Sequence, residues 1–125
     1  DFVRLGLQRA RRGVAILARL SFAESEGRFD LFHGATPITL RAEFVERVPM
    51  VLGRWDPKAS TATAYAWFVW MRPQVEPSWV SRFRAQFPNL TPTTSIPPGT
   101  RDRLSRADDA RLFGAKADAP LFEGL

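Results

Sequence analysis

The spacing of apolar positions divides the chain into short elements. In 2-FVRLGLQRARR-12, Val3, Leu7 and Ala10 fall on one helical face, with Phe2 and Leu5 beside it. Arg9, Arg11 and Arg12 crowd its C-terminal end, where the helix dipole favours cations, and read as capping residues. Gly13 is a natural stop. Next, 14-VAILARL-20 is short and nearly continuously apolar, the pattern of a central strand buried on both faces. Ser21 opens 21-SFAE-24, a capping box that predicts a helix through about Phe32, with Phe22, Phe29 and Phe32 on its buried side. Gly34 and Pro37 end it. Helix, apolar strand, helix is the grammar of a doubly wound α/β sheet.

The stretch 38-ITLRAEFVERVPM-50 is ambiguous. Leu40, Phe44 and Val48 recur every four residues, which favours a helix, but a strand from about Ala42 to Val48, ending at Pro49, is the alternative. A loop follows, 51-VLGRWDPKAST-61, and then 61-TATAYAWFVWMRP-73. Its β-branched and aromatic content predicts a strand. Alternation sends Tyr65, Trp67 and Val69 to one face and Ala66, Phe68 and Trp70 to the other. Both sets are apolar, so both faces are expected to lie under helical layers. Beyond Pro73, prolines at 77, 88, 92, 97 and 98 punctuate the chain. Trp79, Phe83 and Phe87 predict a helix near 78–87, and Ser105 and Asp108 a cap for another near 106–113. The segment 95-SIPPGTR-101 reads as a turn. This tail is expected to wrap the domain without adding to its sheet.

Composition narrows the chemistry. With 125 residues, 45% of them hydrophobic, one small globular domain is expected. Cysteine is absent, which excludes disulfides, thiol nucleophiles and thiolate metal sites. One histidine, His33, cannot build a histidine metal centre, and it sits where a helix is expected to end. No apolar run approaches the roughly 18 residues of a membrane span, and no signal peptide is visible, so a cytoplasmic location is the default expectation. The net charge is +5, with sixteen Arg against two Lys, and Arg suits phosphate because its planar fork donates in pairs. The charge is spread out, with ten basic residues in 1–60 and eight in 61–125, so no basic arm is encoded. Neither GxGxxG nor GxxxxGK[ST] occurs.

In order, 11-RRGVAILARLSFAESEGRFDLF-32, 44-FVERVPMVLGRWDPKAS-60, 64-AYAWFVWMR-72 and 96-IPPGTRDRL-104 resemble the C-terminal half of an S-adenosylmethionine-dependent methyltransferase domain. The similarity is to bacterial and phage enzymes that methylate an exocyclic amino group of a DNA base. Its most specific parts are 46-ERVPM-50 and the aromatic strand. The resemblance covers most of 2–104 and implies a partial Rossmann-like three-layer α/β sheet over residues 1–72, on which the Pro-rich tail of short helices over 73–125 would pack. It also implies an antiparallel strand pair at the C-terminal end of the sheet. Residues 42–48 and 63–72 would form that pair, the last strand inserting between its neighbours, and 14–20 would be the strand before them. The family's Gly-rich cofactor loop, its acidic ribose-binding residue and its Asn/Asp-Pro-Pro-aromatic motif are absent, and Ile96-Pro97-Pro98-Gly99 is no substitute. Those elements would lie upstream of Asp1, so S-adenosylmethionine would be the cofactor of a parent protein, and the chain alone is expected to be inactive.

In an open α/β sheet, ligands bind at the C-terminal strand ends. That puts Arg19, Leu20, Ser21 and Phe22 at the expected rim, with the 49–60 turn near it. Arg47, Arg54 and Lys58 are then candidate phosphate contacts, and Trp55 could stack on a base. DNA is the expected partner. A non-catalytic nucleic-acid-binding module and a structural phage-associated protein are the competing readings.

Overall fold

The computed structural model describes residues 2–50, 56 and 58–114. Its centre is a four-stranded mixed sheet of β1 (Gly13–Arg19), β2 (Leu40–Phe44), β3 (Tyr65–Met71) and β4 (Thr93–Ile96), in the order β1-β3-β2-β4. β3 is antiparallel to both β1 and β2, and β2 runs parallel to β4. The ambiguous 38–50 segment is therefore a strand, ending at Phe44 and not Val48. The four-residue spacing of Leu40, Phe44 and Val48 carries no helix, because β2 is held between two neighbours whose ladder bonds override local periodicity. The 65–71 strand lies between the 13–19 and 40–44 strands, the placement expected for it from the family resemblance.

One face of the sheet is dry. Ala66, Phe68 and Trp70 are fully buried there against Val3 and Leu7 of α1 (Phe2–Arg9), Leu31 and Phe32 of α2 (Phe29–His33), and Ile38. Each fully buried ring contributes about 2–3 kcal/mol relative to exposure. Trp70 also donates its indole Nε1–H to the Leu31 carbonyl at 2.9 Å, so its one polar atom is satisfied in the core. α1 approaches β1 closely at Gly6, where an added Cβ would lie 3.0 Å from Val14 Cγ2.

The other face differs from the expectation of two covering layers. Leu17 and Trp67 are direct cross-strand partners on it and keep 37% and 38% of their surface in solvent. Ala15 and Arg19 on the same face of β1 are exposed too. Among the described residues β1 is thus an edge strand covered on one side, not a central strand covered on both. Its continuous apolar run does not distinguish the two cases, since small and aliphatic side chains also serve on a half-open face.

Two further expectations are corrected. The helix from Ser21 to Phe32 is broken into 3-10 turns at Leu20–Ala23 and Glu26–Arg28, followed by α2, with Ser25 extended between the turns. Ser21 makes no side-chain cap; Glu24 N–H donates to the Ser21 carbonyl instead. Tertiary contacts decide this. Phe22 turns into the core at 5.3 Å from Phe68, and Arg28 lies 4.4 Å over its ring while donating to its carbonyl at 3.0 Å. Phe29, expected on the buried side, is 58% exposed.

The tail does add to the sheet, as β4. Arg41 N–H donates to the Pro92 carbonyl and Val45 N–H to the Ile96 carbonyl, continuing the β2 ladder at both ends of β4. Thr93, Thr94 and Ile96 suit a strand, and Pro97-Pro98 stops it. Before β4, α3 (Ser78–Gln86) is fixed by one guanidinium. Arg84 grips Glu76 through two bonds of 2.7 and 2.9 Å and donates to the carbonyls of Pro37 and Ile38. Thr39 Oγ1 in turn donates to Glu76 Oε2 and accepts from Met71 N–H. After β4, the Pro98–Gly99 turn leads into α4 (Thr100–Leu104), and α5 (Asp109–Phe113) follows. The carboxylate that caps the turn before α5 belongs to Asp109, which accepts from Arg106 N–H at 2.8 Å.

Candidate functional site

Because β1 and β2 are both antiparallel to β3, they run parallel to one another and to β4. Their C-terminal residues Arg19, Phe44 and Ile96 therefore share one edge of the sheet. A cleft of about 290 Å³ opens at the β2 end of that edge, close to the small end of ligand pockets, roughly 300–1,000 Å³. Phe44, Val48, Pro49 and Leu104 supply its apolar walls, and Glu46, Arg47, Asp56, Thr100 and Arg101 its polar groups.

Each side of the cleft is positioned by identifiable bonds. The ladder to β4 carries the chain through Phe44 and Val45 before it turns away at Glu46. Thr100 Oγ1 donates to the Pro97 carbonyl at 2.6 Å and fixes the start of α4. Arg101 spans the cleft: its Nη2 donates to the Asp56 carbonyl at 3.0 Å, and its backbone N–H points to Glu46 Oε1 at 3.5 Å. Asp56 Oδ1 accepts from Lys58 N–H at 2.9 Å, an Asx turn that sets the chain on the far side. The result is an apolar slot edged by two guanidinium groups and two carboxylates. Such a slot suits a flat, partly polar group, held by stacking and by hydrogen bonds at its edge.

The residues singled out from the sequence are distributed unevenly around this edge. Arg47 lines the cleft, and Lys58 is exposed in the turn beside Asp56. Arg19 and Ser21 are exposed at the end of β1, where Leu20 N–H donates to the Ala64 carbonyl. Phe22 is a core residue, withdrawn from the edge by its contacts with Phe32 and Phe68. Arg54 and Trp55 lie outside the described residues. Sequence reading missed Arg101, Thr100 and Leu104: it assigns 95–101 to a turn and gives Leu104 no role at the site. The available signal was Pro-Pro-Gly-Thr ahead of a charged run, which marks a helix start.

Among the described residues, no group of three or more His, Asp or Glu side chains could hold a metal, and no helix is long and apolar enough to cross a membrane. The fold is a mixed α/β domain with a small cleft at the C-terminal ends of its parallel strands. Comparison with known family models, curated proteins and solved structures returned no match for the chain.

Proposed function

We propose that the chain is the C-terminal portion of an S-adenosylmethionine-dependent methyltransferase with a Rossmann-like sheet, acting on an exocyclic amino group of a DNA base. One observation carries the reading: β3 is inserted, antiparallel, between two strands that run parallel to each other. A crossover from β1 to β2 followed by a strand returning antiparallel into the gap gives this order, as split β-α-β sheets of other kinds also do. It is the strand arrangement implied for these same three segments by their resemblance to that family, and nothing in the hydrophobic pattern alone requires it. The cleft lies at the C-terminal strand ends, where α/β sheets bind ligands, and Arg47 and Lys58 stand beside it as phosphate contacts.

The described residues do not fit the cofactor itself. The turn after β1, Leu20–Ala23, carries no glycine and commits Phe22 to the core. No step is therefore assigned to the cofactor here; its site and the acceptor motif for the target amine belong to residues other than these. The coding sequence preceding Asp1 tests the proposal. It should encode an Asn/Asp-Pro-Pro-Tyr/Phe motif and, further upstream, a glycine-rich loop after a strand. A start codon immediately before Asp1, with no such motif, would overturn it.

A further inference from the structure

Arg9, Arg11 and Arg12 sit at the opposite end of the sheet from the cleft, just before β1 begins. In sequence they read as caps for the helix that precedes them. The structure bears this out for Arg9, which lies in the last turn of α1, while the carbonyls just beyond the helix are satisfied by other residues. Arg72 Nε donates to the Ala10 carbonyl at 3.1 Å, Gln74 Nε2 to the Arg11 carbonyl at 3.1 Å, and Arg72 N–H to the Arg12 carbonyl at 2.7 Å. Three consecutive carbonyls are thus satisfied from the end of β3. The side chains of Arg9, Arg11 and Arg12 are exposed and form no hydrogen bond or ion pair among the described residues. Glu76, the carboxylate of the adjoining turn, is already taken by Arg84 and Thr39.

The geometry points to a second nucleic-acid contact, in which Arg9, Arg11 and Arg12 grip the phosphate backbone at the end of the sheet opposite the candidate cleft. Three unpaired positive charges within four residues repel one another and gain from a polyanion. Their backbone is held by Arg72 and Gln74, so binding has only side chains to order. Arginine forks pair bidentately with phosphate oxygens. The three groups are spread over an open surface, which suits an extended chain of phosphates and not one enclosed phosphate. The choice of nucleic acid among polyanions rests on the proposed function.

The test is binding of residues 1–125 to a short DNA duplex, followed by fluorescence anisotropy at about 50 to 200 mM salt. Arg11→Gln/Arg12→Gln is compared with Arg82→Gln/Arg106→Gln, which removes the same charge from exposed arginines elsewhere. The first pair should weaken binding by about tenfold and lower the salt slope by about two, at roughly 0.9 per phosphate contact. The second should change neither by more than about half as much. Arg11→Lys/Arg12→Lys, which keeps the charge but loses the fork, should fall between wild type and the glutamine pair. Equal losses in both glutamine pairs, or no loss in the first, would overturn the assignment, and so would wild-type chain that does not bind. Circular dichroism confirms that each variant is folded. A loss confined to the Arg11/Arg12 pair, found together with no acceptor motif upstream of Asp1, would keep this contact and discard only the methyltransferase reading.

Discussion

Trp67 and Trp70 stand three residues apart on one strand, and the structure assigns them opposite energetic roles. Trp70 is fully buried and hydrogen-bonded to the Leu31 carbonyl. Replacing it with Phe removes the donor, and a buried carbonyl left without a partner costs about 1–3 kcal/mol. The smaller ring also leaves unfilled volume, worth about 1 kcal/mol more. Trp70→Phe should therefore destabilise by about 2–4 kcal/mol, a large share of the roughly 5–15 kcal/mol available to a domain. Trp67 is 38% exposed, and its indole has no hydrogen bond among the described residues. Trp67→Phe removes only part of a half-wetted surface and should cost about 1 kcal/mol or less. Urea unfolding followed by far-ultraviolet circular dichroism, which does not depend on the indole signal, measures both. With a slope of about 1–3 kcal/mol per molar urea, the Trp70 variant should lose roughly 1–3 M in its midpoint. Equal losses for the two variants would refute the one-sided burial, because that is the outcome two covered faces would produce.

Gly13→Ala should lower the thermal midpoint by at least about 3 °C, since the new Cβ would fall 2.1 Å from the Trp70 carbonyl oxygen and 3.0 Å from Met71 Cα, both backbone. An unchanged midpoint would mean that β1 and β3 do not approach so closely there. Glu76→Ala and Arg84→Ala should each cost about 2–4 kcal/mol in urea unfolding, and the double variant should cost less than their sum by about 1–3 kcal/mol. Strict additivity would contradict the clamp between α3 and the approach to β2.

The strands at 13–19 and 65–71 were legible because β-branched, aliphatic and aromatic residues run uninterrupted between Gly or Pro and polar neighbours. Which faces they bury was not legible. Leu17 and Trp67 look like core residues in sequence, but no element among the described residues covers them, and they stand 37% and 38% exposed. β4 was missed because four residues flanked by prolines carry too weak a pattern, and its pairing depends on the long-range ladder to β2. The helix expected from Ser21 failed because Phe22 and Arg28 gain more from the core and from each other than a capping box supplies. At the candidate site, Arg47 and Lys58 could be placed near the edge from the family resemblance. Arg101 could not, because its role depends on Asp56 and Glu46, each more than forty residues away in sequence.

The insertion of β3 has a consequence for how the molecule is made. β1 and β2 are synthesised first, yet they do not pair with each other; each waits for a strand that follows both. Gly13 meets Met71 about 58 residues later, so the sheet closes through long loops, a topology that folds slowly. Until residue 71 is available, both early strands present open edges that can recruit another chain. A truncation before Tyr65 would not trim a margin of this protein; it would remove the middle, leaving two strands with nothing to join them.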